Sequence, residues 1–584
     1  MVKDPILARD DIEQTWTRGY ADDYWNDPVS PLFFELLGDQ LTQIVNIELN
    51  GIMGYSKPGD DTDKLLLLYR SHAYFNLEVL KRKVEYEIPP MLRSDDILNY
   101  FEEGAGPYGK ETMKKQPFRM AKRVLAEIRV MLYDKNGSIT KTASAYEEWS
   151  KKEFEPFYRQ FDQRMLLLSE KGKTSDYIEL ATELDRLMIG HFRLVRYGIP
   201  VHNIGMNLIA QYLLGRFLGK EEATATYPVL LSGLKHKTSE TNHALFRLVS
   251  TVQSFPQLRS TITETPSDRI LTNLRADKSP DAVRLASELQ SFFQEFGVRG
   301  FTREPYYPRW SDAPQHVFNI LKAMVRDESP VPAGLTVKHN NQETITEQQI
   351  AARVKSQSLG WVKWKLFSTV LSFARRYIIF RENQRFNLDR WITMNRRIFL
   401  EIGKRFQTLG IIKEPSDIFF LRKSEIRKIN NKGFAPNELK KIQLEAEERK
   451  SSFLENENLT PPKFLQGNRE SDDSSRNIET TLHGLPASRG VLSGLVRVLD
   501  RIDDIWQVRS GETLVVPRTD PGWTPVFRKI GGLITETGGL LSHGAVVSRE
   551  YCIPAVTNIP NACRIFRTGQ HVTIDGSKGT VSIE

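Results

Sequence analysis

The spacing of apolar residues changes near residue 480, and this change limits the possible folds more than any other sequence feature. Upstream, apolar residues recur at three- and four-residue intervals, which is typical of amphipathic helices. Downstream, the short apolar runs 491–499, 512–517 and 531–537 are bounded by Gly, Pro or Asp, which is typical of strands joined by turns. We therefore predict a multidomain chain with a large, mostly α-helical domain followed by a small α/β domain.

The predicted helical domain covers residues 1–455. One of its helices is predicted from residues that repeat at helical spacing, namely Leu65, Leu68, Tyr69, Ala73, Leu77, Leu80 and Val84. Further helices are predicted near 115–133, 178–197, 281–296, 348–381, 390–408 and 436–455. The stretch 327–345 is predicted to be a loop or a small insertion. The many aromatic residues of this part either pack in the core or line a pocket for a small molecule.

Residues 456–481 are polar, with a Pro pair and a Ser/Asp cluster, and predict a flexible linker. About 25 flexible residues have a root-mean-square span of roughly 25–30 Å, so a domain on this tether can reach two separated sites. A simple surface loop is the alternative. The small α/β domain follows at 482–584 and is predicted to end in a hairpin through 575–579.

Charge and composition exclude several classes of protein. The net charge of +8 is small for 584 residues, so a phosphorylated substrate or an acidic partner fits it, while no nucleic-acid-binding motif is found. No run of 18 apolar residues predicts a membrane span, and the N-terminus has no signal-peptide core, so we expect a cytoplasmic protein. Two cysteines do not support a disulfide framework, and no metal site is predicted.

His543 is the residue whose surroundings point most clearly to chemistry. A predicted strand ends near Thr537, Gly538 and Gly539 allow a tight turn, and a helix is predicted to begin at Ser542 or His543. A helix N-terminus offers unpaired N–H groups and a positive dipole end, which hold a phosphate dianion well. An imidazole placed there can attack phosphorus and form a covalent intermediate. A structural or helix-capping histidine is the alternative.

Three motifs in this region resemble a known family: TDPGWTPVF (519–527), GGLITETGGLLSHGAVVSREYCIPAV (531–556) and GTVSIE (579–584). They resemble the mobile phosphohistidine domain of the phosphoenolpyruvate-utilising enzymes. The resemblance implies that His543 is phosphorylated within a swivelling domain, on a loop formed by Thr537, Gly538, Gly539 and Ser542. Cys552 stands where the family usually has Gly, and we expect it to be a small buried side chain.

Upstream segments resemble the acceptor domain of rifampin phosphotransferase within the same family. ARRYIIFRENQRFNLDRW (374–391) is similar to an element in which Arg381 and Arg385 would be catalytic. These residues are four apart, so one helical face presents two guanidinium groups that could clamp a phosphoryl group. A solvated basic face is the alternative.

A second basic set lies in FGVRGFTREPYYPRW (296–310), where Val298 replaces a histidine of the family's motif. Its arginines either bind the substrate or form structural ion pairs with Glu295, Glu304 or Asp312. The predicted substrate-binding residues are Arg299, Arg303, Arg309, Glu304 and Glu382. A general base is also needed unless the acceptor is acidic, with Glu382 and Glu304 as candidates and His191 and His202 as weaker ones.

A nucleotide-binding motif of the Walker type is not found in the sequence. The arrangement resembles the phosphohistidine subunit of phenylphosphate synthase, which implies that Mg²⁺ and ATP bind on a separate ATP-grasp subunit. We expect a dikinase-type phosphotransferase whose small hydroxyl substrate is a phenol. The alternatives are a split kinase for another alcohol, an antibiotic or a biosynthetic intermediate, and a non-enzymatic phosphohistidine regulator.

Overall fold

The fold was analysed from a computed structural model. It describes residues 14–19, 25, 27–56, 64–94, 97–98, 100–102, 104–231, 233–325, 335–431, 436–457, 461–466, 469–470, 481–519, 521–539 and 542–584. The chain divides into two compact units. Unit 1 comprises residues 1–205, 302–307 and 376–474, and unit 2 comprises residues 206–301, 308–375 and 475–584.

Helices make up most of the described residues. In chain order the α-helices are Pro31–Gln40 (α1), Leu49–Met53 (α2), Leu77–Glu87 (α3), Lys110–Lys115 (α4), Met120–Tyr133 (α5), Thr142–Trp149 (α6), Glu155–Lys171 (α7), Thr174–Tyr197 (α8), Ile204–Leu218 (α9), Lys220–Leu230 (α10), Lys237–Ser254 (α11), Pro256–Glu264 (α12), Ser267–Ala276 (α13), Pro280–Phe296 (α14), Gln315–Val325 (α15), Leu335–Lys355 (α16), Gly360–Thr408 (α17), Lys423–Asn430 (α18), Pro436–Asn456 (α19), His543–Glu550 (α20) and Ala562–Ile565 (α21). Shorter π and 3₁₀ segments are Leu41–Glu48, Pro90–Leu92, Ser150–Phe154, Gly198–Asn203, Pro415–Phe420, Ile502–Gln507 and Pro521–Arg528.

The strands form one sheet in each unit. They are Thr15–Thr17 (β1), Leu66–Tyr69 (β2), His72–Asn76 (β3), Phe464–Gln466 (β4), Arg469–Glu470 (β5), Thr481–His483 (β6), Leu485–Ser488 (β7), Val491–Val498 (β8), Thr513–Val516 (β9), Gly532–Thr535 (β10), Ala555–Thr557 (β11), His571–Asp575 (β12) and Thr580–Ile583 (β13). The predicted fold class is therefore confirmed: a large helical region is followed by a small α/β sheet domain.

The sheet of unit 1 has the order β2-β3-β1-β4-β5. Its central strand β1 is antiparallel to both neighbours, with Trp16 opposite Asn76 on one side and opposite Leu465 on the other. Trp16, Leu67, Tyr74 and Leu465 form a hydrophobic cluster on this sheet. The first described strand of the chain therefore depends on a partner strand that lies near residue 465.

A β-hairpin occupies the first part of the region that the spacing predicted to be one helix from Leu65 to Val84. Strands β2 and β3 pair with Tyr69 opposite His72, and the turn residues Arg70 and Ser71 have φ values of 46° and 58°. Two positive φ values are the signature of a tight hairpin turn. The helix prediction is wrong for 66–76 because a short, continuous apolar run fits a buried strand as well as a buried helix.

The long helix α17 joins two segments that were predicted as separate helices, 348–381 and 390–408. No Pro or Gly lies between residues 381 and 390, so nothing in the sequence interrupts the helix there. The predicted helix 348–381 is instead interrupted between α16 and α17, where Leu359 has a φ of 54°. The predicted loop 327–345 is wrong for residues 335–345, which begin α16, because Pro332 and Gly334 precede the helix instead of interrupting it. Residues 326–334 lie outside the described residues.

The sheet of unit 2 has the order β6-β13-β12-β8-β9-β10-β11-β7. Strands β8, β9, β10 and β11 are parallel neighbours, while the outer strands are antiparallel. Valine, isoleucine and phenylalanine side chains fill the core beside it: Val496, Val515, Ile534, Val556, Ile559, Phe566, Val572, Ile574 and Val581. The carboxyl ends of β9 and β10 therefore meet at one edge, which is where parallel sheets usually place functional residues.

The division into units differs from the predicted boundaries after residues 455 and 481, because helical residues 206–301 and 308–375 group with 475–584. Within the predicted linker, β4 and β5 are strands of the unit 1 sheet and not flexible coil. Residues 458–460, 467–468 and 471–480 of that linker lie outside the described residues, and its mobility stays a prediction. Among the described residues, no helix has both the length and the apolar character that a membrane span requires.

Candidate functional site

The loop before α20 brings His543 to the first position of a helix in unit 2. Strand β10 ends at Thr535, and Gly538 has a φ of 119°, which strongly favours glycine. Ser542 is the N-cap residue of α20, and its hydroxyl accepts a hydrogen bond from the Ala545 amide at 3.4 Å. The N–H groups of the first helical turn lack intrahelical partners, so this end of α20 favours an anion.

The same loop is fixed to the neighbouring parallel strand. The amide of Thr537 donates to the carbonyl of Pro517 at 3.1 Å, and the Thr537 hydroxyl donates to that carbonyl at 3.2 Å. The Thr535 hydroxyl donates to the carbonyl of Thr537 at 2.8 Å. The Ser542 amide donates to Gly539 at 2.9 Å. These bonds hold the described loop residue Thr537 beside Pro517, which follows β9.

The imidazole of His543 contacts two side chains from the β9 side of the sheet. Its Nδ1 lies 3.4 Å from the Thr519 hydroxyl, and the Phe527 ring meets it edge to face at 6.2 Å between ring centroids. When Nδ1 donates its proton to Thr519, Nε2 carries the lone pair. Thr519 and Phe527 are absent from the predicted site residues, although both lie in the motif 519–527. Their position after β9, the parallel neighbour of β10, is the signal that would have found them.

Gly544 packs too closely against Thr519 to carry a side chain. A Cβ at this position would lie 2.6 Å from the Thr519 hydroxyl oxygen and 3.1 Å from Leu533 Cδ2. Two atoms cannot approach that closely without one of them moving. The absence of a side chain at Gly544 therefore keeps the Thr519 hydroxyl within reach of His543.

We expect Gly544→Ala to slow phosphorylation of His543 by about tenfold, because the new methyl group displaces the hydroxyl that orients the imidazole. The measurement is the rate at which acid-labile phosphate accumulates on the protein. Gly494→Ala is the matched control, since a Cβ there would have only one neighbour, at 3.8 Å. An unchanged rate in Gly544→Ala would show that Thr519 does not orient His543.

Arg381, Glu382 and Arg385 form a buried charge cluster on α17 in unit 1. Arg381 Nε and Nη2 lie 3.0 Å and 2.9 Å from Glu382 Oε1, and Arg385 Nη1 lies 3.9 Å from the same oxygen. Arg381 and Glu382 are each only 7% exposed. The cluster thus brings two guanidinium groups to one carboxylate on α17.

The segment 302–307 brings two more predicted residues into unit 1. Arg303 Nε lies 3.3 Å from Asp389 Oδ1 on α17. Glu304 accepts hydrogen bonds from the Ser30 amide and hydroxyl, at 2.9 Å and 2.7 Å, and from the Tyr306 amide. Glu304 thus stabilises the start of α1, and its carboxylate oxygens are already hydrogen-bonded. Asp389 was missed from the sequence, although it is four residues from Arg385 on the same helical face.

The two remaining predicted arginines belong to unit 2. Arg299 donates from Nε to the Thr241 hydroxyl at 3.1 Å, and its carbonyl accepts from the Trp310 amide at 2.7 Å. Arg309 is only 1% exposed, and its amide donates to Asp312 at 3.2 Å. Arg299 and Arg309 are thus described in a different unit from Arg303 and Glu304.

Two family models match the chain. Residues 197–382 match the rifampicin phosphotransferase fourth domain, and residues 508–579 match the mobile domain of PEP-utilising enzymes. The second range contains His543, Thr519 and Phe527. Residues 508–579 are therefore similar to the mobile domain of PEP-utilising enzymes. The first range contains Arg299, Arg303, Glu304, Arg309, Arg381 and Glu382, and it ends before Arg385.

Curated relatives agree with this assignment. The chain is 26% identical over 381 residues to rifampicin phosphotransferase of Bacillus subtilis (strain 168), which covers 63% of this chain and 42% of the relative. It is 28% identical over 357 residues to prodigiosin synthesizing transferase PigC of Serratia marcescens, covering 60% and 39%. It is 40% identical over 102 residues to a probable phosphoenolpyruvate synthase of Staphylothermus marinus, covering 17% and 12%. The match thus spans less than half the length of each of these relatives.

The backbone of the turn after α20 accounts for the glycine that the family usually has where this chain has Cys552. Cys552 is exposed and has a φ of 55° in the turn after α20. That region of φ favours glycine and costs a residue with a Cβ about 1–2 kcal/mol. The expectation of a buried side chain is wrong. The position lies in an exposed turn whose requirement is a positive φ, and the side chain does not pack in the core.

His191 and His202 are both buried in unit 1 and are weak bases there. Burial lowers the pKa of His191 to about 3 and that of His202 to about 4. His191 Nδ1 lies 3.0 Å from the Tyr146 hydroxyl, which also accepts a hydrogen bond from Asn387 at 3.1 Å. His202 Nε2 lies 2.9 Å from the carbonyl of Gly137. Both rings are therefore neutral at pH 7 and act as packing and hydrogen-bonding groups.

We expect His191→Phe to make unit 1 less sensitive to acid. The folded pKa of His191 lies below its ordinary value of 6.5, so its contribution to stability is complete above pH 6.5 and is lost as the pH falls below it. Each pH unit below 6.5 costs about 1.4 kcal/mol. Between pH 7 and pH 5 the variant should lose about 2 kcal/mol less than the original chain, measured by denaturant titration. Equal losses would contradict the buried neutral state.

A cavity of about 360 Å³ lies in unit 1 between α6 and α8. Trp149, Gly190 and Leu194 line its apolar side, and Glu153 and Arg193 line its charged side. The indole N–H of Trp149 is buried and has no hydrogen-bond partner among the described residues. The indole N–H faces Gly190, where an added Cβ would lie 2.4 Å from the nitrogen, so this donor is closed off from the cavity.

Proposed function

We propose that the chain is a phosphotransferase that carries a phosphoryl group on His543 to the hydroxyl of an organic acceptor. The observation that carries this proposal is the position of His543 as the first residue of α20, beside Thr519, in a PEP-utilising mobile domain. A structural histidine does not require a glycine-rich anion-binding turn in front of it. The curated relatives that carry the name rifampicin phosphotransferase support the same class of reaction.

In the first step, Nε2 of His543 attacks the phosphorus of the donor. With ATP as the donor, an N–P bond forms at the β-phosphorus, and the P–O bond to AMP breaks with its electron pair on AMP. Water then cleaves the γ-phosphate from the histidine-bound group as inorganic phosphate, so that one phosphoryl group stays on His543. In the tautomer in which Nδ1 donates its proton to the Thr519 hydroxyl, the lone pair lies on Nε2. In the second step, the acceptor oxygen attacks phosphorus, the N–P bond breaks, and the hydroxyl proton passes to a base. The first turn of α20 stabilises the phosphate on the imidazole.

The arginine cluster of α17 supports a role in the second step. Arg381 and Arg385 both contact the Glu382 carboxylate, and Arg381 is buried. A guanidinium group in such a setting stabilises the charge that develops on a transferring phosphoryl group. Glu382 remains a candidate general base, while Glu304 has its oxygens occupied by the start of α1.

The donor in this proposal is ATP with Mg²⁺, bound on a separate ATP-grasp subunit. The support is the resemblance to the phosphohistidine subunit of phenylphosphate synthase, in which ATP is converted to AMP and phosphate. By the same resemblance the acceptor is a phenol. A larger antibiotic is the second candidate, because residues 197–382 match the rifampicin phosphotransferase fourth domain.

Two labelling reactions test the proposal. In the first, phosphoramidate, a small phosphoryl donor, is incubated with the purified chain. In the second, ATP labelled at the β-phosphate is incubated with the chain and the candidate ATP-grasp protein. We expect label that is stable in alkali, is lost in acid and maps to His543 by peptide mass spectrometry. Phenol or rifampicin should then remove the label and become phosphorylated. Failure of both donors to label His543 would overturn the proposal.

A further inference from the structure

Helix α5 in unit 1 turns its wider apolar face toward solvent. Six large apolar side chains on this face each expose between 43% and 67% of their surface: Met120, Val124, Leu125, Ile128, Met131 and Leu132. At 100° per residue, these six and Ala121 fill one continuous arc of the helix, and no charged residue interrupts it. We call these seven residues the α5 outer face. A surface helix normally buries an arc of this width.

The opposite side of α5 is narrow and already packed. Ala126 and Val130 lie in a hydrophobic cluster with residues of α2, α3 and α8, namely Leu49, Met53, Tyr55, Tyr86 and Tyr197. Arg129 Nε donates to the Ile52 carbonyl at 2.7 Å. Arg123 pairs with Glu127. These contacts fix the helix in its orientation, so the exposed arc is a rigid feature of the fold and not the result of a loosely held helix.

We propose that the α5 outer face binds the same face of a second copy of this chain, as an antiparallel helix pair about a two-fold axis. This inference does not depend on the proposed function. With about 100 Å² exposed on each of the six side chains, one copy contributes about 600 Å². Two copies bury about 1,200 Å², which lies at the lower end of the range for stable protein interfaces. An uncharged arc is complementary to itself, as a two-fold interface requires.

The charged residues beside the arc favour a protein partner over a lipid surface. An interfacial helix needs lysine and arginine side chains that are available to lipid headgroups. Here Arg123 donates to the Tyr55 hydroxyl as well as pairing with Glu127, and Lys122 lies 3.4 Å from the Tyr86 hydroxyl. Arg129 is bonded to backbone carbonyls of α2. Arg123 and Arg129 are therefore engaged within unit 1, whereas Lys122 is exposed, and the vesicle measurement below separates a lipid contact from a protein contact.

Sedimentation equilibrium of the whole chain tests the proposal. We expect a monomer–dimer equilibrium that Leu125→Glu or Ile128→Glu weakens more than about 100-fold, because each buries a carboxylate in an apolar contact. Both positions are exposed in the single chain, so circular dichroism should not change, and the melting temperature should not change at concentrations where the original chain is monomeric. Leu409→Glu is the matched control, since Leu409 is 70% exposed in the same unit but lies away from α5 in the sequence.

Crosslinking provides a second measurement. A two-fold axis near the middle of α5 places residue 125 of one copy near residue 128 of the other. A Leu125→Cys/Ile128→Cys variant should therefore form a disulfide-linked dimer on mild oxidation, whereas Leu409→Cys should not. A chain that stays monomeric, or a dimer that Leu125→Glu and Ile128→Glu leave intact, would overturn the proposal. Monomeric protein whose binding to anionic vesicles is lost in these variants would overturn it in favour of a membrane contact.

Discussion

His543→Asn should abolish phosphoryl transfer while the fold persists. Asparagine keeps a polar side chain of similar length at the start of α20 but has no ring nitrogen with a lone pair, so no N–P bond can form. The expected loss is complete within detection, because the covalent intermediate cannot be bypassed in a two-step transfer. The measurement is the formation of phosphorylated acceptor, together with acid-labile label on the chain.

The matched control is His571→Asn in the same mobile domain. His571 lies on β12, its Nδ1 is 2.7 Å from Glu584, and it is about half exposed. This variant changes one histidine of the sheet without touching the loop before α20, so its activity should equal that of the original chain. Full activity in His543→Asn, or equal losses in both variants, would remove His543 from the reaction.

Arg381→Ala should slow transfer from phospho-His543 to the acceptor by about 10²-fold or more, which is the usual effect of losing one electrostatic stabiliser. Phosphorylation of His543 by its donor should keep its rate, since Arg381 lies outside the mobile domain match. The measurement is a single-turnover decay of labelled protein after addition of acceptor. A change of less than twofold in that decay would place the acceptor site elsewhere.

This substitution also leaves the Glu382 carboxylate with one partner fewer, which could weaken the fold. The melting temperature of Arg381→Ala, measured beside its transfer rate, separates the two effects. If the melting temperature and the rate of His543 phosphorylation stay unchanged while transfer to the acceptor slows, then the loss is electrostatic. Arg376→Ala is the positional control, because Arg376 lies five residues earlier on α17 and is bonded to Ser144 and the Thr140 carbonyl.

Local rules explain the parts of the structure that the sequence predicted. Gly538, Gly539 and Ser542 carry the signals for a turn and a helix start, and α20 begins at His543. The short apolar runs bounded by Gly and Pro became β8, β9 and β10. The family was recognised from three contiguous motifs. In these cases the information lies within a few residues of the feature that it determines.

Long-range partners explain what the sequence could not predict. The hairpin at 66–76 has no glycine in its turn, and its strand nature depends on pairing with β1. Arg303 pairs with Asp389, and Glu304 caps α1 some 270 residues away in the chain. Cys552 and the apolar side chains of the α5 outer face are exposed, although apolar residues and cysteine are usually buried. Each of these features depends on tertiary contacts between distant parts of the chain, and residue spacing does not predict such contacts.

The pairing of β1 with β4 has a consequence for synthesis of the protein. About 450 residues separate these antiparallel neighbours, so β1 leaves the ribosome long before its partner exists. At 5–20 residues per second, the delay is roughly 20–90 seconds. During that time one edge of the nascent sheet has no neighbouring strand and is open to pairing with other chains. Aggregation during production should therefore depend on translation speed, and slow decoding before residue 464 should favour it.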